Sequence, residues 1–303
     1  MTRSIPTDQL HQIIESRLGP VVSLTDVTGG DCHRSVRLLV QQDDRENAYF
    51  AKVNSGDGAN ILESEYQSLG MMRTLMQTTF DELYPQPIAY FREHGLGVLV
   101  LQWLDLQRVS GAQGKALAES LVLHHATRQD IYGWPKSNYC GLTLQSNQEN
   151  ANWAEFFVDQ RLRPQLALAQ QRGLPRQLAE QVGRTCEHAE AILQNHQPDP
   201  VLLHGDLWSG NVSFDLQNKR PIFYDPAPYF GDPEVDIAMT TLFGGFPETF
   251  YTQWCQLTHR AERELESTEF RQRRKIYNLF HALNHFNLFG SDYGYLIRDH
   301  LID

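Results

Sequence analysis

The chain has 303 residues, 41% of them hydrophobic and 21% charged, the makeup of a globular protein long enough for one large domain or two lobes. A formal net charge of -11 and a pI near 5.5 argue against nucleic acid or an anionic membrane as the main partner, while leaving room for a local cluster of donors that binds a nucleotide. No apolar run approaches the ~20 residues that span a bilayer, and residues 1–18 lack the apolar centre of a signal peptide. Cys32, Cys140, Cys186 and Cys255 form no C-x-x-C pair, so a cytoplasmic protein with reduced thiols is expected, acting as a monomer or weak dimer.

Apolar positions at Ile5, Leu10, Ile13, Ile14 and Leu18 predict a helix that Gly19-Pro20 stops. Val21 to Val27 and Ser35 to Val40 read as strands around Gly29-Gly30, whose backbone N–H groups could cover phosphates or simply form a hairpin turn. A polar turn at 43–47 leads to a strand from Ala48 to Val53, which carries Lys52. Residues 55–60 read as a Gly-rich loop and 61–77 as a helix. Ile88 to Phe91 and Gly97 to Trp103 supply two more strands. From about Gly114 the pattern becomes helical, over 114–128, 151–171, 175–194, 248–265 and 268–289, with a β region at 201–225. The expected architecture is α+β and bilobal. An N-terminal antiparallel β-sheet lobe with one helix (1–102) is joined near Gln102–Leu106 to a larger, mostly helical C-terminal lobe (103–303).

The chemistry concentrates in His204-Gly205-Asp206-Leu207-Trp208-Ser209-Gly210-Asn211. An Asp followed after four residues by an Asn is the spacing of a kinase catalytic loop. There the Asp accepts the proton of the attacking hydroxyl and the Asn holds magnesium. Alone the pair is a weak signal, because Asp and Asn are common in turns. Asp225 ends a second apolar run, Ile222-Phe223-Tyr224, where a second metal ligand is needed. The polar turn between the two runs predicts a hairpin that returns Asn211 and Asp225 to one edge. Both offer the hard oxygens that suit magnesium. Lys52 lies in an apolar strand, where a lysine normally guards an edge but in a kinase reaches the ATP phosphates. Its helix partner is Glu63 or Glu65. Glu65 lies four residues before Leu69, beside the packed stripe, and is the choice.

These residues resemble the fructosamine kinase (ketosamine 3-kinase) family, within the aminoglycoside-phosphotransferase-like, protein-kinase-like superfamily. The most selective pieces are Asp206-Leu207-Trp208-Ser209-Gly210-Asn211, Tyr224-Asp225-Pro226-Ala227, Glu234-Val235-Asp236-Ile237-Ala238-Met239 and Leu242-Phe243-Gly244-Gly245-Phe246-Pro247. The resemblance implies an ATP- and Mg-dependent kinase acting on the C3 hydroxyl of ketosamines, whether free or protein-attached, in deglycation repair. It implies Asp206 as base, Asn211 and Asp225 on magnesium, Lys52 on the phosphates and Glu65 fixing Lys52. It places the backbone of Gln102 to Leu104 on adenine, Trp208 and His285 on the substrate, and Asp236 on the backbone of the catalytic loop. The family's glycine loop departs here to Cys32-His33-Arg34, where Cys32 reads first as an inert small residue in a turn and, as the alternative, as a thiol that Arg34 opens to oxidation. Two other readings stand beside this one: the same fold acting on an aminoglycoside, choline or another alcohol, and a catalytically silent nucleotide-binding regulator.

Overall fold

A computed structural model describes residues 7–28 and 32–302. The chain divides into two compact units, Met1–Leu106 and Gln107–Asp303. Gly29 and Gly30, the candidate phosphate cover, lie outside the described residues.

The first unit opens with helix α1 (Thr7–Leu18), followed by strands β1 (Val21–Asp26), β2 (Arg34–Gln42) and β3 (Arg45–Ser55). Helices α2 (Asp57–Met76) and α3 (Thr78–Leu83) come next, then β4 (Pro87–Glu93) and β5 (Leu96–Gln102). The strands form one antiparallel sheet in the order β1-β2-β3-β5-β4. Alternation decides what each face carries. Val36, Leu38 and Val40 of β2, Ala51 and Val53 of β3, and Val98 and Val100 of β5 share a core with Leu10, Ile13 and Ile14 of α1. Lys52 has the opposite parity to Ala51 and Val53, which turns it to the other face, and α2 packs against β3, β4 and β5.

The predicted loop at 55–60 is a correction, since α2 starts at Asp57. Gly56, with φ of 59°, turns the chain out of β3, and Asp57 places a carboxylate in the first helical turn, where the helix dipole favours it. Gly58 lies within the helix, where a Cβ would come within 2.2 Å of the Asn54 side chain.

In the second unit a two-residue strand, β6 (Leu106–Gln107), lies at the boundary, followed by α4 (Gly114–His125) and the hairpin β7 (Asn138–Cys140) and β8 (Thr143–Gln145). Helix α5 (Trp153–Phe157) runs through a π-helical turn at Val158–Leu162 into α6 (Arg163–Gln171), and α7 (Arg176–Gln194) follows. The predicted helix at 151–171 is therefore interrupted, and it is interrupted where Arg161 enters the core. Its guanidinium lies 4.0 Å from the Tyr229 ring centroid and 4.8 Å from that of Phe156, and donates to Asn147 Oδ1 at 2.6 Å.

Strands β9 (Val201–Leu203), β10 (Val212–Asp215), β11 (Arg220–Phe223) and β12 (Tyr229–Gly231) form the β region. Helices α8 (Glu234–Thr240), α9 (Glu248–Leu257), α10 (Thr268–Phe289) and α11 (Gly294–Asp299) complete the unit. The helix expected over 248–265 stops at Leu257, past which His259 takes a φ of 56° and a short 3-10 turn spans Glu262–Glu266. Among the described residues no helix is long and apolar enough to cross a membrane.

Candidate active site

The two units each carry part of the predicted chemistry. In the first, Lys52 Nζ donates to Glu65 Oε1 at 2.6 Å, with the two side chains only 6% and 11% exposed. Glu63, the rejected alternative, faces Arg92 at 3.9 Å with 42% exposure. Just after Lys52, Asn54 Nδ2 donates to the Cys32 carbonyl at 3.0 Å, tying the end of the β1–β2 connection to β3. Arg34 forms a two-point pair with Asp26, at 2.7 and 3.3 Å, so its charge beside half-buried Cys32 is shared with a carboxylate. Gln102 ends β5 and its backbone N–H donates to Gln86 at 2.9 Å, so that donor is already engaged; Leu104 follows, half-buried, outside any strand.

In the second unit the candidate catalytic loop leaves β9 through Gly205. Its φ of 80° suits glycine, and a Cβ there would come within 2.1 Å of the Ala227 carbonyl oxygen. Ala227 N in turn donates to His204 O at 2.8 Å, continuing the β9–β12 pairing. Asp236, the second turn-forming acid of α8, reaches back to this bend. Its carboxylate accepts from the backbone N–H groups of His204 and Gly205, both at 2.9 Å, and contacts His125 Nε2 at 3.0 Å. Burial pushes its acidity the other way, but the His125 hydrogen bond and the neighbouring imidazoles outweigh it and bring the pKa down to about 2.

The Asp236→Ala variant is expected to lose ~3 kcal/mol or more of stability in urea unfolding, because it orphans two buried backbone donors and His125. A variant as stable as the parent would show that the bend does not depend on this carboxylate.

His204 adds a second clamp. It accepts from Asp206 N at Nδ1 (3.3 Å) and donates from Nε2 to the Tyr224 carbonyl (3.0 Å), a neutral tautomer that burial favours by lowering its pKa. The residue before Asp206 but one thus touches the residue before Asp225.

Hairpin β10–β11 pairs Val212 with Phe223, and Tyr224 N donates to Asn211 O at 3.1 Å. Its turn is set by Asp215, whose Oδ1 accepts from Gln217 N at 2.9 Å and whose Oδ2 accepts from Asn218 Nδ2 at 2.6 Å. Asn211 and Asp225 therefore come to one edge. Asn211 Nδ2 donates to the Asp206 carbonyl at 2.8 Å and to Asp206 Oδ2 at 3.1 Å. With two acceptors fixing the nitrogen, the amide oxygen of Asn211 is the atom left to face a cation. Asp225 is exposed and takes φ of 58°, a left-handed conformation uncommon outside glycine. An amide oxygen and a carboxylate form a hard donor set that fits magnesium.

The Asp206 side chain retains 19% exposure. Burial first, and then repulsion from Asp225, push its pKa up to about 7, against the pull of the Asn211 hydrogen bond. That is a suitable range for a general base near neutrality.

Trp208 and His285 are joined through Phe243, which belongs to the Leu242-Phe243-Gly244-Gly245-Phe246-Pro247 segment. Ring centroids are 5.6 Å apart for Trp208–Phe243 and 4.6 Å for Phe243–His285, and Phe289 continues the run 5.6 Å beyond His285. Gly210 carries no Cβ because one would come within 2.3 Å of the Trp208 ring. Sequence reasoning also missed His125, visible only once α4 meets α8, and His281 on α10, whose Nδ1 lies 3.7 Å from Asp206 Oδ1.

The sequence model of the fructosamine kinase family matches residues 7–302. The chain belongs to the fructosamine kinase family. It is 37% identical over 270 residues to a Synechocystis protein named "Probable ketoamine kinase", covering 88% of this chain and 85% of that protein. It is 30% identical over 311 residues to the ketosamine-3-kinase of Mus musculus, covering 94% and 96%. Among solved structures, the Haemophilus somnus protein described as "Putative fructosamine-3-kinase" matches with a TM-score of 0.80 at 22% identity, covering 96% of this chain and 95% of that one. A thermostable mutant of the aminoglycoside phosphotransferase APH(4)-Ia matches with a TM-score of 0.66 at 14% identity, over 95% and 98%. The fold is the bilobal, protein-kinase-like α+β fold expected for a fructosamine kinase family member.

Proposed function

We propose that this fructosamine kinase family member transfers the γ-phosphoryl group of ATP, with magnesium, to the C3 hydroxyl of a ketosamine, carried on a free amine or a protein lysine. The observation that carries the reading is the arrangement around Asn211. Its nitrogen is held by Asp206, its oxygen is left for a metal, and the hairpin places Asp225 at the same edge. Magnesium bound there would neutralise charge on the transferring phosphoryl group.

The chain's own residues supply the rest. Asp206 accepts the hydroxyl proton, and its environment keeps that proton acceptor near neutrality. Lys52, fixed by Glu65, takes phosphate oxygens of the nucleotide. Gln102 and Leu104 remain candidates for the adenine edge through backbone groups other than the engaged Gln102 N–H, and Gly29 and Gly30 for covering the phosphates. Trp208, Phe243 and His285 offer aromatic faces for the sugar and its amine-bearing arm. A phosphate on C3 is adjacent to the C2 carbonyl. Enolisation toward C1 then expels phosphate from C3, and hydrolysis of the resulting imine frees the amine, which makes the reaction a deglycation.

The likeness to APH(4)-Ia, at 14% identity, carries the scaffold and no acceptor. The test is ADP release from Mg-ATP across fructosyl-lysine, ribulosyl-lysine, kanamycin and choline. Turnover confined to the ketoamines is the expected outcome. Turnover of kanamycin or choline alone would retain the fold and overturn the substrate.

A further inference from the structure

His281 is the least accounted-for polar side chain near the catalytic loop. It lies on α10 at 1% exposure, and neither ring nitrogen has a hydrogen-bond partner among the described residues. Burial and the nearby His285 lower its pKa to about 3, so the imidazole is neutral and both nitrogens can offer or receive a partner. Nδ1 faces Asp206 Oδ1 at 3.7 Å, the oxygen that Asn211 does not use.

A thiol completes the group. Cys140 ends β7 at 1% exposure, and Asn284, one turn after His281 on α10, donates to its Sγ and to its carbonyl, each at 3.3 Å. One atom each from Cys140, Asp206 and His281 lie within 4.8 Å of one another. The three come from separate elements: a hairpin, the catalytic loop and a helix.

We propose that Cys140, His281 and Asp206 form an inhibitory site for a thiolate-binding divalent cation, zinc by its chemistry, which captures the catalytic carboxylate. Sulfur, imidazole nitrogen and one carboxylate oxygen are three of the four ligands a tetrahedral zinc takes, at ~2.0–2.3 Å, and a modest contraction of the cluster reaches those lengths. Magnesium takes oxygen ligands and is not held by a thiol, so the site is chemically separate from Asn211 and Asp225. On binding, Cys140 releases its thiol proton to solvent, and Asp206 Oδ1 spends on the metal the lone pair it would use to accept the hydroxyl proton. The metal site stands on geometry alone; the inhibition rests on Asp206 being the base.

Cobalt is the probe, because a thiolate bound to it gives a near-ultraviolet charge-transfer band and four-coordination gives intense visible bands. One equivalent of cobalt added to the metal-free protein is expected to produce both, and zinc to erase them. The charge-transfer band is expected to vanish in Cys140→Ser, and the visible bands to weaken in His281→Gln. With saturating Mg-ATP, micromolar zinc is expected to inhibit the parent, and Cys140→Ser to need at least tenfold more zinc while its metal-free turnover stays within about twofold. Absence of a thiolate band, or equal zinc sensitivity in parent and Cys140→Ser, overturns the site. A thiolate band without loss of turnover upholds the metal site and overturns Asp206 as base. Thermal unfolding of each variant beside the parent shows that a lost band reflects lost ligation.

Discussion

The Asp206→Asn variant is expected to lose turnover by roughly a thousandfold, within the ~10²–10⁴ that a positioned proton acceptor contributes, while still binding nucleotide. It is also expected to be more stable than the parent in metal-free buffer above pH 7. Unfolded, the Asp206 carboxyl titrates near 3.8; folded, burial and Asp225 raise it to about 7. Between those values the folded chain holds a proton the unfolded chain has released. Stability therefore falls as pH rises from about 4 to about 7, and stays at its lower level above. Asparagine is neutral throughout and removes that slope. A three-unit shift sets an upper limit of ~4 kcal/mol, and the 19% exposure of the side chain makes ~1–3 kcal/mol the expected gain. Melting temperatures of parent and variant at pH 4.5 and pH 8, both in chelator, check the sign. The gap should widen at pH 8; an equal gap at the two pH values would contradict the strained carboxylate.

The Lys52→Ala variant is expected to lose ~3 kcal/mol of stability and at least a hundredfold in turnover. The structural cost follows from burial, since Glu65 at 11% exposure keeps a charge with its 2.6 Å partner removed. In the proposed role of Lys52, the functional cost follows from the phosphates losing their cation. The two are separable. Replacing both partners by apolar residues, Lys52→Met with Glu65→Leu, should restore most of the stability, because an apolar pair fills the same space without a desolvated charge. Turnover should stay lost. A double variant that regains both would leave the pair a structural feature only.

Much of this was legible in the sequence because the informative signals are local. The apolar run Tyr49-Phe50-Ala51 before it and Val53 after it placed Lys52 on a strand, and the four-residue step from Glu65 to Leu69 pointed to its partner on α2. The spacing of Asp206, Asn211 and Asp225 across a polar turn predicted a hairpin, and the β10–β11 register has that form. What was hidden depends on contacts between distant segments. His125 and Asp236 are 111 residues apart, and nothing local marks a helix C-terminus as the support of a loop. The burial of Arg161 has no local signal and comes from Tyr229, Phe156 and Asn147 surrounding it. His281 looks like one more polar residue of α10 until its ring is found beside Asp206. The start of α2 was misread because Gly56 and Gly58 signal a loop by propensity, whereas here one makes the turn and the other a close packing contact with Asn54.

The most direct test of the central claim is the position of the transferred phosphate. Fructosyl-lysine is incubated with Mg-ATP, and the product is followed by proton-coupled phosphorus NMR as it forms. The account predicts a phosphate coupled to the single proton on C3, appearing in step with ADP, decaying to inorganic phosphate and free lysine, and absent with Asp206→Asn. Phosphate coupled to the C6 methylene protons, or formation undiminished in Asp206→Asn, would contradict it.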